Sequence, residues 1–268
     1  METKSVVGVD YVIDQMSHHK KKEFMPTCFS KLDKLLDGGF VKQEMVVIGG
    51  GTGIGKSFLA SQLVLNISNT GFKCLYLSLE ISSFMLVARM IGSLSGVKPT
   101  RVLWGLLTKQ EYKQKQEAED RLELASDFIH LSDNLYDYQK IQNVIKVEKP
   151  EFVVVDFIQN VVLRGKNDEY DRLSFLAVAF QKLAKETNTC ILLISQLSNR
   201  VVREGDTARY LEYKGAGTIA QVADLGFWLM PKEEEGQLGL VLRKNRRGPA
   251  GNEIPLKMVA PGGRIKQI

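Results

Sequence analysis

The chain has 268 residues, 44% of them apolar, and a formal net charge of +5, which predicts one large or two small globular domains with an ordinary core. There is no run of 18 or more apolar residues, and the first residues lack the apolar segment of a signal peptide, so the sequence predicts neither a membrane span nor a secretory signal. Its 3 cysteines are far apart, which is typical of reduced thiols, and we expect a cytoplasmic protein without a membrane partner.

The chain begins with a predicted arm and linker, residues 1–24, in which residues 5–17 carry a short apolar pattern typical of a small helix. The body, residues 25–268, opens with a predicted buried strand over 44–49. Apolar residues at helical spacing then predict a helix over 57–69, and residues 73–79 predict the next strand.

The middle of the body continues this alternation. Phe84, Val87, Ile91 and Leu94 recur at helical spacing, and Thr108 with Glu111 predicts a capping box ahead of a charged helix. The remaining elements are predicted strands at 128–132, 152–158 and 190–194, and helices around 141–145 and 173–183.

The strands of the body are continuous apolar runs rather than alternating patterns, which indicates burial on both faces. With helices between them, they predict an α/β fold with a mostly parallel central sheet that is flanked by helices. After Met230, residues 239–243 and 253–258 predict antiparallel strands at the C-terminal edge of the sheet.

Eight residues between the first strand and first helix of the body match the motif G-x-x-x-x-G-K-S/T: Gly50, Gly51, Thr52, Gly53, Ile54, Gly55, Lys56 and Ser57. Glycines let backbone N–H groups turn toward a phosphate, and the following helix presents its N-terminus to the anion. A lysine at the position of Lys56 reaches the β- and γ-phosphates, and the Ser57 hydroxyl ligates Mg²⁺. The motif predicts a site for ATP or another NTP with Mg²⁺.

Two acids are candidates for the chemistry at this site. Asp156 ends an apolar strand, where a lone carboxylate is costly unless it meets a cation, so we predict that it holds Mg²⁺. Phe157, not a glutamate, follows it. The candidate for activating the attacking water is therefore Glu80, which reaches the same crevice if its strand neighbours that of the motif. A helix-capping acid ahead of Ser82 is the alternative role for Glu80.

Two regions are candidates for contact with nucleic acid. Residues 199–217 form a long polar segment between apolar strands, and Gly215 and Gly217 would let backbone amides approach a phosphate. Such contacts carry no sequence information, and an ordinary surface loop is the alternative. The other region is the C-terminal part of the chain, where basic residues outnumber the single acid Glu253: Arg243, Lys244, Arg246, Arg247, Lys257, Arg264 and Lys266.

Taken together, the motifs resemble the C-terminal motor domain of DnaB-type replicative helicases, from about Met25 onward. The matching segments are PTCFSKLDKLLDGGF, GGGTGIGKS, LYLSLEIS, VVVDFIQ, LLISQLSNR, KGAGTIAQVADLGFWL and KNRRGPAG. The resemblance implies a RecA-like P-loop NTPase core that forms a hexameric ring and translocates on single-stranded DNA during replication. A RecA-type recombinase and a KaiC-like regulatory ATPase are the alternatives.

The resemblance also implies residue roles. Lys56 and Glu80 are catalytic, Gln196 senses the γ-phosphate, and Lys244 and Arg246 are a sensor lysine and an arginine finger that act on the neighbouring subunit. The DNA-binding residues are Arg200, Lys214, Gly215, Ala216 and Gly217. Primase or a helicase loader are further implied partners. The family usually carries an N-terminal helical domain where this chain has about 24 residues, so we expect a minimal, phage-like or truncated version.

Overall fold

The computed structural model describes residues 7–18, 23–165, 168–196 and 217–268. The predicted arm contains helix α1 (Val9–His18), whose apolar residues Val9 and Ile13 are 76% and 59% exposed. Among the described residues, no helix is both long and apolar enough to cross a membrane.

The body begins with a small antiparallel pair, β1 (Phe24–Met25) and β2 (Phe40–Val41), on either side of helix α2 (Ser30–Leu35). The next strands are β3 (Met45–Gly50), β4 (Cys74–Ser78), β5 (Ile129–Ser132), β6 (Phe152–Asp156) and β7 (Cys190–Gln196). The helices after β3 are α3 (Lys56–Ser68), α4 (Ser83–Ser95), α5 (Pro99–Trp104), α6 (Lys109–Leu124), α7 (Tyr138–Glu148), α8 (Glu169–Thr187) and α9 (Gly217–Val222). The C-terminal strands are β8 (Leu225–Pro231), β9 (Gln237–Asn245), β10 (Glu253–Val259) and β11 (Arg264–Gln267).

Nine of these strands form one sheet in the order β11-β10-β9-β8-β3-β7-β6-β4-β5. The strands from β8 to β5 in this order are parallel, and β8 to β11 pair antiparallel. This confirms the predicted mostly parallel sheet with an antiparallel C-terminal edge.

Strand β3 shows why its apolar run is continuous. Val46 and Ile48 pack into the core that contains Leu59 of α3, whereas Met45 and Val47 pack into a second core on the opposite face. The sheet is therefore covered by helices on both faces, as the sequence predicts.

Helix α4 corrects one detail of the predicted helical pattern. Its buried face carries Leu86 and Met90 together with Ile91, whereas Phe84, which was predicted to lie on the apolar face, is 77% exposed. The predicted capping box of α6 is confirmed, since the Thr108 hydroxyl accepts from Glu111 N at 3.2 Å and the Glu111 carboxylate accepts from Thr108 N at 2.8 Å.

All three cysteines are free thiols. Cys74 in β4 and Cys190 in β7 are fully buried, and burial raises the pKa of Cys74 to about 12 and that of Cys190 well above its usual value. Cys28 is exposed. This confirms that two of the cysteines are strand residues of the core.

Candidate active site

The motif loop connects the C-terminal end of β3 to the N-terminus of α3, which is the strand–loop–helix context that phosphate binding requires. Gly53 and Gly55 have φ angles of +77° and +100°, a region that favours glycine. A Cβ atom on Gly50 would lie 2.8 Å from the carbonyl oxygen of Leu229 in β8, so close packing against the neighbouring strand also requires glycine there. The loop therefore has the backbone that its glycines predict.

A cavity of about 230 Å³ at the C-terminal ends of the parallel strands brings most of the predicted site together. Its lining residues are Thr52, Gly53, Gly55, Lys56, Ser57, Phe58, Glu80, Ile81, Arg89, Asp156, Phe157, Ile194 and Gln196. Three predicted loop residues, Gly50, Gly51 and Ile54, are not in this lining. A larger hollow of about 500 Å³ lies near the C-terminal end of α3 and contains none of the motif residues, so we assign the chemistry to the smaller cavity.

Lys56 lies across the loop that carries it. Its Nζ donates to the carbonyl oxygens of Gly50 and Gly51, at 3.0 and 2.7 Å. Burial lowers its pKa, and the negative charges of Asp156 and Glu80 oppose that effect. The side chain is thus a cation in a confined site with two carboxyl groups nearby.

Asp156 is 1% exposed at the end of β6. Its Oδ2 accepts a hydrogen bond from the Tyr76 hydroxyl at 2.7 Å, and its buried Oδ1 has no hydrogen-bond partner among the described residues. Burial raises the pKa of this carboxyl group, and the hydrogen bonds from Tyr76 and Ser57 and the charges of Arg89 and Lys56 oppose the shift. A carboxylate oxygen without a partner beside a serine hydroxyl is a set of oxygen ligands that fits Mg²⁺.

Glu80 follows β4, which does not neighbour β3, because β7 and β6 lie between them. The predicted condition for its reaching the site was therefore wrong, yet Glu80 lines the cavity. The turn that carries it is held by hydrogen bonds from Leu79 N to the Asp156 carbonyl oxygen at 2.7 Å and from Asn160 Nδ2 to the Leu79 carbonyl oxygen at 2.8 Å. These contacts between turns bring Glu80 beside the end of β6.

The alternative role of Glu80, as a helix cap, does not describe the start of α4. The Ser82 hydroxyl accepts from Met85 N at 3.3 Å, and the Asp133 carboxylate accepts from Ser83 N at 2.7 Å. Capping is therefore performed by Ser82 and Asp133, and the Glu80 carboxylate faces the cavity instead.

Gln196 ends β7 directly beside the motif loop, since its Cα pairs with that of Gly50 in the parallel register of β7 and β3. It lines the same cavity as Lys56 and Glu80. Its position is compatible with contact to the terminal phosphate of a nucleotide, as the resemblance implies.

Sequence reasoning missed Arg89 of α4. Its guanidinium lies 4.7 Å from the ring centroid of Phe58, lines the cavity, and lowers the pKa of Asp156. The signal was present in the sequence, because Arg89 is the lone charged residue between Ser83 and Ser95. A charge in an otherwise neutral helix predicts a partner at its end of the sheet.

Lys244 and Arg246 at the end of β9 and just beyond it do not line this cavity. Lys244 Nζ donates to the carbonyl oxygen of Ala220 at 2.8 Å, and Arg246 Nη1 lies 2.7 Å from Asp224 Oδ1. Burial lowers the pKa of Lys244, and the charge of Arg246 lowers it further. The two cations are therefore held together, apart from the nucleotide-site residues of their own chain.

Four of the predicted DNA contacts, Arg200, Lys214, Gly215 and Ala216, lie outside the described residues. The fifth, Gly217, is the first residue of α9, is exposed, and has nothing within 4 Å of the place where a Cβ atom would lie.

The basic C-terminal surface is partly used within the fold. Arg247 lies 3.1 Å from Glu44 and donates to the carbonyl oxygens of Leu36 and Gly39 at 2.9 and 3.1 Å. Arg247 therefore joins β9 to the segment after α2. Arg264 and Lys266 are exposed on β11.

Solved structures of similar fold include the ATPase domain of another protein, with a TM-score of 0.84, 19% identity, and coverage of 97% of both chains. A DnaB-like replicative helicase, studied with its interactions with primase, gives a TM-score of 0.83 at 18% identity, over 97% of this chain and 67% of that one. A KaiC-like protein of Pyrococcus horikoshii is more distant, with a TM-score of 0.63 at 17% identity, over 92% and 99% of the two chains. The fold is RecA-like, as predicted.

Sequence relatives point the same way. The replicative DNA helicase DnaB of Treponema pallidum is 30% identical over 230 residues, which are 84% of this chain and 52% of that protein. The chain spans about half the length of the curated relatives it matches. The profile of the family described as DnaB-like helicase C terminal domain matches residues 25–261. The chain belongs to the family of DnaB-like helicase C-terminal domains.

Proposed function

We propose that the chain is an NTP-driven DNA helicase motor that works as a hexameric ring and translocates on single-stranded DNA during replication. The observation that carries the proposal is the division of the predicted catalytic groups. Lys56, Glu80 and Gln196 share one cavity, whereas Lys244 and Arg246 are held elsewhere in the same chain. A nucleotide bound between two subunits would meet both groups.

In this proposal the loop amides and Lys56 bind the phosphates of the nucleotide, because the loop backbone and the helix N-terminus both favour an anion. Ser57 and Asp156 would hold Mg²⁺, which supplies charge neutralisation between the β- and γ-phosphates when bound. Glu80 orients the attacking water and accepts its proton. Gln196 contacts the γ-phosphate from the end of β7.

Lys244 and Arg246 act on the nucleotide of the neighbouring subunit. An arginine supplied in trans stabilises the charge that develops on the transferring phosphoryl group. Because each subunit then depends on the next, the active form is an assembly, and a closed ring is the arrangement that gives every site a donor of these cations.

The DNA grip is proposed at residues 214–217, with Arg200 as a further contact. Glycines at 215 and 217 permit backbone N–H groups to approach phosphates. Phosphate contacts carry no sequence information, which suits a motor that must move along any sequence. The relative whose solved structure is described with its interactions with primase supports primase, or a helicase loader, as a further partner.

The proposal is tested by electron microscopy of the protein with Mg²⁺, a nonhydrolysable nucleotide and single-stranded DNA, together with strand separation of a forked duplex. We expect closed rings, DNA-stimulated hydrolysis and strand separation, with Lys56→Ala as the inactive baseline. An open filament that pairs homologous strands would instead support a recombinase. Hydrolysis that ignores single-stranded DNA would support a regulatory ATPase.

Lys214→Ala tests the location of the DNA grip. We expect weaker binding of single-stranded DNA for all sequences. The log–log salt dependence should be flatter by at most about 0.7 for each phosphate that a subunit of the variant no longer neutralises. Basal hydrolysis should persist while its stimulation by DNA falls. The measurement is DNA affinity at several salt concentrations.

Arg264→Ala is the matched control for this experiment, because Arg264 is an exposed basic residue on β11. We expect its DNA affinity to stay near that of the unmodified protein. If Arg264→Ala weakens binding and Lys214→Ala does not, DNA lies on the C-terminal surface and the assignment to residues 214–217 is wrong.

A further inference from the structure

The C-terminal end of α9 is stabilised by two cations from β9 and the residues after it. The Ala220 carbonyl oxygen accepts from Lys244 Nζ at 2.8 Å, and the Gln221 carbonyl oxygen accepts from both Lys244 Nζ and Arg246 Nη2. The last carbonyl groups of a helix lack partners within the helix, so these side chains act as its cap. The capping groups are the same two cations that the proposed function assigns to the neighbouring subunit.

Asp224 fixes the arginine of this cap. Its Oδ1 lies 2.7 Å from Arg246 Nη1, and its Oδ2 accepts from Met45 N of β3 at 2.8 Å. The backbone repeats both links, since Asp224 N donates to the Met45 carbonyl oxygen at 2.8 Å and Arg246 N donates to the Asp224 carbonyl oxygen at 3.0 Å. The Asp224 side chain is 13% exposed and that of Arg246 is 44% exposed. A carboxylate anchored on β3 thus holds an arginine whose side chain is partly in solvent.

These contacts give Lys244 and Arg246 two sets of partners that exclude each other. Both terminal nitrogens of the Arg246 guanidinium donate within the chain, to Asp224 and to the Gln221 carbonyl oxygen. An arginine engaged in this way cannot also present both nitrogens to a phosphate.

We propose that Asp224 is a positioning residue that sets the balance between these two states, so that engagement of a neighbour's nucleotide by Lys244 and Arg246 releases the end of α9. The inference rests on the proposed function, in which both cations act across the subunit interface. Because α9 begins at Gly217, a predicted DNA contact, its release would link nucleotide binding in one subunit to the DNA contact of the next.

Such a link is reciprocal. If nucleotide changes the affinity for DNA by some factor, DNA changes the affinity for nucleotide by the same factor, and factors of about 5- to 150-fold are usual for coupled sites. The factor is measured as the ratio of two dissociation constants for single-stranded DNA, one with Mg²⁺ and a nonhydrolysable nucleotide and one without nucleotide. We expect a ratio in this range, above or below one, for the unmodified assembly.

Asp224→Asn should move this ratio close to one. Its single amide oxygen cannot accept from both Met45 N and Arg246 Nη1, so the arginine is held less firmly and engaging the nucleotide no longer depends on releasing the α9 cap. A ratio in Asp224→Asn equal to that of the unmodified protein, in assemblies of the same size, would overturn the inference and leave the proposed function standing. An unmodified protein that does not bind single-stranded DNA would overturn both.

Two control variants separate this role from a general loosening of the fold. Gln181 Nε2 of α8 donates to the Val222 carbonyl oxygen at 2.7 Å, so it caps α9 without contacting either cation. Gln181→Leu should therefore change DNA affinity equally in both nucleotide states and leave the ratio unchanged. Glu44→Gln, which alters the neighbouring Arg247 ion pair, should also keep the ratio. A loss of coupling in either control equal to that in Asp224→Asn contradicts a specific role for Asp224.

Hydrogen exchange tests the same inference without any substitution, should Asp224→Asn fail to fold. We expect the backbone amides at the end of α9 to exchange faster when the assembled protein binds Mg²⁺ and a nonhydrolysable nucleotide, because local opening follows the loss of a cap. Unchanged or slower exchange at these amides would overturn the inference.

Discussion

Replacing Arg246 by alanine should lower the rate of nucleotide hydrolysis by roughly 10³–10⁵-fold, the range in which arginines supplied in trans contribute to phosphoryl transfer. The effect on folding should be small, because the side chain is 44% exposed and its ion pair with Asp224 is largely open to solvent on the arginine side. Steady-state hydrolysis and thermal unfolding of the same preparation measure the two effects. Arg246→Lys should restore little activity, since an ammonium group lacks the planar pair of donors.

Mixing variants tests whether Arg246 acts on a neighbour. Arg246→Ala retains an intact cavity and Lys56→Ala retains an intact Arg246, so a mixed assembly contains some interfaces in which both groups are present. We expect hydrolysis to reappear in the mixture. Lys257→Ala, a change of equal charge at an exposed site on β10, should lower activity little. An assembly that exchanges subunits yet recovers no activity at any mixing ratio contradicts a trans role.

Glu80→Gln should lower turnover by roughly 10²–10⁴-fold, because the amide retains the shape of the side chain but cannot accept the proton of the attacking water. Nucleotide binding should remain close to that of the unmodified protein, since Glu80 lies across the cavity from the loop that binds phosphate. Equilibrium binding of a fluorescent nucleotide and single-turnover hydrolysis measure these two quantities separately.

A surface glutamate on α6 provides the control for this charge change. Glu123 is exposed and lies outside the cavity, so Glu123→Gln should hydrolyse nucleotide at the normal rate. Normal turnover in Glu80→Gln would place the proton acceptor elsewhere. Loss of nucleotide binding in Glu80→Gln would instead mean that the carboxylate shapes the phosphate site.

The elements that the sequence predicts well are those with a strong local pattern. The strand that ends at Asp156 and the loop from Gly50 to Ser57 need no knowledge of the rest of the fold, because apolar runs and a glycine-rich motif are local signals. Helices α2 and α5 and strand β11 were not predicted, since six or fewer residues do not complete a recognisable period. Short elements of this kind depend on the packing of their neighbours.

The position of Glu80 shows what local patterns omit. Its strand is not adjacent to β3, and sequence gives no strand order because the connections that determine it are long-range. Glu80 nevertheless reaches the cavity through hydrogen bonds between turns, such as that from Asn160 to Leu79. Arg89 was missed for a related reason, since its contact with Phe58 joins two helices. The predicted roles of Lys214 and Arg200 stay predictions.

The placement of the cysteines makes the chain selective toward thiol reagents. Cys74 and Cys190 lie inside the sheet as protonated thiols, and the thiolate is the reactive form, so alkylation of the folded protein should be confined to Cys28. Partial burial and the charge of Asp33 raise the pKa of Cys28, so its labelling should accelerate as the pH rises toward that pKa. A single fluorophore can thus be attached to the native chain, and energy transfer between labelled copies would report subunit exchange directly.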